Sequence, residues 1–387
     1  MVQHVLVAPD KFKGSLTAAE VAARVTAGLG VPTVELPVAD GGDGTVDAAV
    51  ACGFDRVTIE VTGPTGERVT ASYAWHPGDA TAVVELAEAS GLRRLPDGPE
   101  PLTATSHGTG ELVAHAVRHG ARRVVLGLGG SACTDGGAGM AQALGARLLD
   151  AEGRELPRGG AALRALDRID LSGFPDLTGV SFVVASDVDN PLLGPHGAAA
   201  VYGPQKGATP DDVKVLEAGL TRLAAVATRT HGLMGAVEHD DIVRAMGVAG
   251  APGAGAAGGV GFAALAFLHA EIRPGIDHLL GLLGFGAHAA DARLVITGEG
   301  SLDEQSLRGK APIGVAQAAA RAGVPVVAVC GRRTLSDAEL KAAGIEAAYA
   351  LTDLEPDPAR CMAEAGPLLE RLAARIAADR RLAEGTP

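Results

Sequence analysis

Carboxylates recur at one kind of place in this chain, the few residues after short runs of Val, Ile, Leu and Ala. Asp10, with Lys11 and Lys13, follows His4–Ala8, and Asp40 and Asp43 follow Thr33–Ala39. Gly129, Gly130, Ser131 and Asp135 follow Arg123–Leu128. Asp187, Asp189 and Asn190 follow Ser181–Ala185, and Glu299 and Asp303 follow Leu294–Thr297. In open α/β sheets ligands bind outside the carboxyl ends of the strands. One Asp in such a loop is commonly a turn residue or a helix N-cap; five acidic loops ask for more. Gathered carboxylates repel one another unless a cation sits among them. Mg²⁺, held by one or two carboxylates plus substrate phosphates, is the usual cation in phosphoryl transfer, and the interleaved lysines suit charge compensation on phosphates.

Glycine-rich loops supply backbone N–H groups for the same purpose. Gly127–Gly139 (GLGGSACTDGGAG) follows a strand pattern and precedes a helix pattern, where amides and the helix dipole favour an anion. Pro252–Gly261 contains a formal GxGxxG at Gly253, Gly255 and Gly258, but no strand precedes it. A dinucleotide fingerprint therefore fails, leaving a phosphate cradle or a tight packing turn. Gly309-Lys310 lacks the upstream Gly and the following Ser or Thr of a Walker loop. Ser131 is not in a nucleophile elbow, no HExxH or EF-hand spacing occurs, and His107, His196 and His231 are scattered singly, so zinc is not expected. Lys206, in Pro204-Gln-Lys-Gly207, reads either as a solvated turn cation or as an anion ligand.

The elements that must position these residues follow β-α-β-α grammar. Thr17 and Glu20 form a capping box ahead of Val21, Val25 and Leu29. The same grammar returns at Leu294–Thr297, Val324–Cys330 and Ala347–Leu351, with a helix over 311–322 and another opened by Ser336 and Glu339. Unbroken Val/Ile/Leu runs mark a parallel sheet covered on both faces. The expected architecture is a two-domain α/β protein. A flavodoxin-like doubly wound parallel sheet, order 2-1-3-4-5, is built from residues 1–55 and 290–387, and a mixed α/β domain is inserted at 56–289. In the insertion, Arg56–Val61 and Val69–Trp75 read as a hairpin. The stretch Ala359–Arg381 reads as an amphipathic surface helix.

Composition narrows the partners. Glycine makes up 54 of 387 residues, well above its usual ~7%. Aromatics are 3%, and the formal net charge is −13. Loops that approach small anions are plentiful while base-stacking platforms and clustered cations are scarce, so nucleic acid is not an expected partner. Apolar stretches such as Gly258–Leu268 are too short to span a bilayer, and residues 1–12 do not read as a signal peptide. The four cysteines are too dispersed for a disulfide framework. A cytoplasmic protein without membrane association is expected.

Several segments together resemble the bacterial type I glycerate kinases. They are Ala8-Pro-Asp-Lys-Phe-Lys-Gly-Ser-Leu16, Pro37-Val-Ala-Asp-Gly-Gly-Asp-Gly-Thr45, Gly129-Gly-Ser-Ala-Cys-Thr-Asp-Gly-Gly-Ala-Gly-Met140, Ser186-Asp-Val-Asp-Asn-Pro-Leu192, Gly203-Pro-Gln-Lys-Gly-Ala208, Gly253-Ala-Gly-Ala-Ala-Gly-Gly259, and Thr297-Gly-Glu-Gly-Ser-Leu-Asp303 with Gly309-Lys-Ala-Pro312. They run in family order from residue 5 to about 331. Two positions depart: residue 43, usually Glu in the family, is Asp, and Ala-Cys-Thr-Asp stands where Ala-Thr-Asn-Asp is commoner. The shorter carboxylate puts the reach of residue 43 in question.

The resemblance implies two domains with the active site in the cleft between them, and phosphoryl transfer from Mg²⁺-ATP to a hydroxyl of D-glycerate. The expected product is 2-phosphoglycerate, with transfer to the 3-hydroxyl as the alternative. A nicotinamide-dependent hydroxy-acid oxidoreductase and a non-catalytic metabolite-binding protein are the readings from other classes. Carried onto this chain, Asp187 or Asp189 serves as base or orienter, with Lys11 beside them in catalysis. Asp40, Asp43 and Glu299 surround Mg²⁺. Lys13, Ser15, Asn190, Lys206 and Lys310 meet substrate anions. Gly129, Gly130, Ser131, Gly255, Gly258 and Gly259 cradle phosphate. Oligomeric state is left open, a homodimer being one expectation.

Overall fold

The computed structural model describes residues 4–231 and 247–382. The chain opens with β1 (His4–Pro9), α1 (Ala18–Leu29), β2 (Thr33–Glu35) and α2 (Thr45–Ala51). The Thr17/Glu20 capping box starts α1, which buries Val21, Val25 and Leu29 and ends at Gly30 in the left-handed conformation, φ +63°. β2 stops before the expected Ala39 because Pro37 has no N–H to continue the ladder. Pairing persists only through Leu36 N–H to the Val7 carbonyl (2.8 Å) and Val38 N–H to that of Pro9 (3.0 Å).

Next come β3 (Asp55–Thr62), β4 (Arg68–His76), β5 (Thr81–Glu85), α3 (Leu86–Ser90), α4 (His107–Arg118), β6 (Arg123–Gly127) and α5 (Ala138–Ala143). They are followed by β7 (Arg147–Leu149), β8 (Arg168–Asp170), β9 (Ser181–Ala185), α6 (Ala198–Tyr202), α7 (Pro210–His231) and, after the helix Ala256–Phe267, β10 (Glu271–Arg273). The hairpin forms as β3 and β4, antiparallel with Val61 opposite Val69. The chain closes with β11 (Ala292–Leu302), β12 (Val326–Arg333) and β13 (Ala347–Ala350), with helices Ala311–Arg321 and Asp337–Ala342 between them. No helix among the described residues is long and apolar enough to cross a membrane.

Two compact units result. One contains the chain up to Asp40, Asp47–Phe54 and the chain from Pro274 onward; the other contains Gly41–Val46 and Asp55–Arg273. These limits differ from 55/56 and 289/290 for local reasons. Gly41 is drawn to the second unit, its carbonyl accepting from Gly129 N–H at 3.1 Å. Residues 274–289 stay with the first because Ile276 fills the space over Gly314, where an added Cβ would meet its Cγ2 at 2.4 Å.

The first unit holds a five-stranded sheet, β13-β12-β11-β1-β2, parallel throughout. The second holds a six-stranded sheet, β10-β9-β6-β5-β4-β3, and a small β7-β8 pair. In the six-stranded sheet only the β3-β4 and β4-β5 pairs are antiparallel. Each unit has its own apolar core.

The C-terminal stretch differs from its expected form. It is two helices, Pro358–Ala363 and Ala365–Asp379. The second buries Leu368, Leu369, Leu372, Ala373 and Ile376 in the first unit's core, because a stripe that broad must be covered. Gly28 of α1 lets the helices touch: a Cβ there would lie 2.1 Å from the Glu370 carbonyl oxygen.

Candidate functional site

In the first unit β1 ends beside β11 with Pro9 opposite Gly298, and β11 runs on to Leu302 along β12. Asp10 N–H donates to the Gly298 carbonyl at 2.8 Å, which puts Asp10 beside the start of the Glu299 segment. Asp10 is buried, and its Oδ1 accepts from Lys11 N–H at 2.6 Å and lies 3.6 Å from Lys11 Nζ. Burial lifts this carboxyl to about 7 against the pull of Lys11, and the charges of Asp40 and Glu299 push the same way. Glu299, also buried, accepts from Ser306 Oγ. Burial raises it too; Ser306 and Lys310 oppose, while Asp303 and Asp40 reinforce. The first unit therefore gathers Asp10, Asp40, Glu299, Lys11 and Lys310 at the carboxyl ends of its parallel strands.

Three other expected residues of this unit are placed as follows. Lys13 is exposed in the tight loop closed by Ser15 N–H and Leu16 N–H on the Phe12 carbonyl. Ser15 Oγ donates to the Met362 carbonyl at 2.8 Å, so it anchors that loop. Lys310 is the N-cap of helix Ala311–Arg321 and lies 3.4 Å from Gln305 Oε1.

In the second unit β5, β6 and β9 end level, Glu85 pairing with Gly127 and Gly127 with Ala185. Across these ends runs the Gly41–Val46 segment. Its approach is so close that a Cβ on Gly127 would meet the Gly41 oxygen at 2.6 Å, and one on Gly129 the Gly42 Cα at 2.4 Å. Glycine is required there by backbone contact. Buried Glu85 holds the segment, Oε2 accepting from Gly44 N–H (3.1 Å) and Val46 N–H (3.2 Å). Its Oε1 lies 3.1 Å from Arg93 Nη2, and Arg93 also meets Glu88 at 2.6 Å and Asp43 at 3.9 Å. Burial raises Glu85 to about 7, with the Val46 N–H and Arg93 opposing.

The loop after β6 departs from the simple picture of an open helix N-terminus. Asp135, 0% exposed, fills that position itself. Oδ2 accepts from Ser106 N–H (2.8 Å), Ser106 Oγ (2.9 Å), Gly139 N–H (3.2 Å) and Thr105 Oγ1 (3.3 Å), and Oδ1 from Gly137 N–H (3.0 Å). The donors at the start of α5 are thus committed to the chain's own carboxylate. Lys206, expected as a cation meeting a ligand or solvent, is 2% exposed. Nζ donates to Ser131 Oγ at 2.8 Å and to the Cys133 carbonyl at 2.6 Å. Burial lowers it to about 8, opposed by Cys133 and Asp135.

After β9, Asp187 and Asp189 are exposed. Asn190, next in the chain, fixes the loop, Nδ2 donating to the His196 carbonyl at 2.8 Å and Oδ1 accepting from Tyr202 Oη at 2.5 Å. The Gly253–Gly259 loop packs on this loop and on 133–136. A Cβ on Gly255 would lie 2.2 Å from the Pro191 oxygen, one on Gly258 2.1 Å from that of Cys133, and one on Gly259 2.6 Å from Leu192 Cδ1. Gly255 N–H is spent on the Asn190 carbonyl (2.8 Å) and Gly259 N–H on that of Gly255 (3.3 Å). Close packing accounts for these glycines.

The carboxylates named for a metal are divided, Asp40 and Glu299 in the first unit and Asp43 in the second. Among the described residues no three His, Cys, Asp or Glu side chains form a group able to hold an ion. The donor chemistry of Asp40 and Glu299, two carboxylates of one unit of which Glu299 is raised by burial and further by the charge of Asp40, fits an ion completed by phosphate and water. Glu85 and Arg93 are absent from the residues that sequence reasoning singled out. The signal was present: Thr81–Glu85 (TAVVE) is another apolar run closing on a carboxylate.

The chain matches a family model described as the glycerate kinase family over residues 5–381. It is 43% identical over 388 residues to a glycerate kinase of Bacillus subtilis, covering 98% of each chain. It is also 43% identical over 356 residues to the glycerate 2-kinase of Escherichia coli, covering 90% of each. A crystal structure of a Salmonella typhimurium protein described as glycerate kinase 2 matches with a TM-score of 0.84 at 40% identity over the whole of both chains.

Proposed function

This chain belongs to the glycerate kinase family, and on that premise we propose that it transfers the terminal phosphoryl group of ATP to the 2-hydroxyl of D-glycerate, yielding 2-phosphoglycerate. The observation that supports a phosphoryl-transfer role best is the set Asp10, Asp40, Glu299, Lys11 and Lys310 at the ends of parallel strands. Asp10 and Glu299 in it are lifted by burial and by the charge of neighbouring carboxylates, a cost that a cation relieves. Asp40 and Glu299 would hold Mg²⁺, which would supply charge neutralisation on the nucleotide phosphates when bound. The parallel order of the first unit, with its two early strands beside the three late ones, supports a flavodoxin-like doubly wound domain formed by both chain ends.

Phosphoryl transfer needs positioning and electrostatics more than covalent help. Exposed Asp187 or Asp189 accepts the proton of the attacking hydroxyl, within a loop stiffened by Asn190. Lys11, Lys13 and Lys310 offset anionic charge, and the backbone amides of Gly130 and Ser131 orient a phosphate. Incubation with ATP and D-glycerate, followed by enolase alone or enolase with phosphoglycerate mutase, tests the reading. Enolase alone should generate signal. Signal only with mutase assigns the 3-position instead, and no ADP release removes the kinase reading.

A further inference from the structure

We propose that Lys206 is a positioning residue that makes the Ser131 hydroxyl a hydrogen-bond donor to the anionic ligand of the Gly129–Ser131 loop. The argument is one of valence. An ammonium has three donors and no acceptor, whereas a hydroxyl has one hydrogen and two lone pairs. At 2.8 Å from Lys206 Nζ, Ser131 Oγ must accept, so its only hydrogen is directed elsewhere. Among the described residues no acceptor takes that hydrogen, and Ser131 remains 7% exposed. Phosphate and carboxylate oxygens accept hydrogen bonds, and would complete the site. The second bond, to the Cys133 carbonyl at 2.6 Å, fixes the ammonium in place.

The charged and titratable groups facing Lys206 are the Cys133 thiol and the Asp135 carboxylate. Asp135 is saturated by five donors from Thr105, Ser106, Gly137 and Gly139 and does not bond the ammonium. Burial brings Lys206 to about 8. Above that pH the amine gains a lone pair, can accept from Ser131 Oγ–H, and turns the hydrogen away from the ligand. Affinity for an anion therefore falls as Lys206 loses its proton.

The proposal rests on the phosphoryl-transfer reading only in taking this loop as a phosphate site. Calorimetric titration of the full chain with Mg²⁺-ADP at pH 7.5 and 9.5 tests it without turnover. The wild type should bind roughly ten-fold more weakly at pH 9.5. Ser131→Ala should lose roughly ten-fold at pH 7.5 and be almost insensitive to the pH change. Lys206→Met should match it, and the double variant should be no weaker than either single. An additive double variant, a pH response retained in Ser131→Ala, or no binding at either pH overturns the proposal. If Lys206→Met does not fold, the pH comparison of wild type with Ser131→Ala decides. Absent turnover with this binding pattern intact would sink the kinase reading alone; an active enzyme without the pattern would sink this one.

Discussion

Asp10 and Glu299 follow directly on Pro9 and Gly298, which face each other across the parallel strands β1 and β11, and the charge of Glu299 helps to keep Asp10 protonated. Burial is the larger cause, and together with Asp40 they bring Asp10 to about 7. The unfolded chain releases this proton near the ordinary 3.8. Stability present at pH 4 is therefore lost as the pH rises towards 7. Asp10→Asn should abolish much of that loss. Urea unfolding without ligands should show the variant gaining on the wild type by about 2 kcal/mol between pH 4.5 and 7; parallel curves would contradict the burial argument.

Asp187 and Asp189 are exposed, so replacing either with Asn should leave stability within about 0.5 kcal/mol of wild type. The one that accepts the hydroxyl proton should lose at least roughly 100-fold in kcat. Steady-state assays of both variants, with melting curves as the folding control, identify it. Near-normal kcat in both would remove this loop from the chemistry.

Asp135→Asn should unfold more readily rather than bind ligand differently. Five donors converge on this carboxylate, and an amide NH₂ facing them leaves some unsatisfied. The expected loss is about 3 kcal/mol, read from the denaturation midpoint; a change of binding at unchanged stability would assign Asp135 to the ligand site instead.

Gly258→Ala should destabilise by at least about 2 kcal/mol. Its φ is +68°, and the new Cβ would lie 2.1 Å from the Cys133 carbonyl oxygen, a backbone atom unable to swing aside. Gly281→Ala is the control, since nothing lies within 4 Å of that site and its φ is ordinary. Equal melting temperatures for the two variants would reject the packing account of the 253–259 loop.

Glu85→Gln should loosen the Gly41–Val46 segment. One side-chain amide cannot both accept from Gly44 and Val46 and pair with Arg93. Hydrogen exchange of the Gly44 and Val46 amides should quicken by at least roughly ten-fold, while exchange in β1 is unchanged.

Local pattern was enough to locate the strands that carry the acidic loops. β9 spans the expected Ser181–Ala185, and the Thr17/Glu20 and Ser336/Glu339 capping boxes form as read, because strand runs and caps depend on residues within a few positions of each other. Which polar group meets a ligand and which is consumed by the fold depends on partners far away in the chain. Asp135 looked like its neighbours in the other loops until Thr105 and Ser106 supplied its donors. Lys206 looked like a surface turn until Ser131 and Cys133, more than 70 residues earlier, enclosed it. The C-terminal helix looked superficial until Gly28 admitted it to the core. Sequence by itself determined the residue types, the strand-and-loop grammar and the family. Tertiary structure decided which charges are buried, because desolvation is set by the atoms that the fold packs around a group.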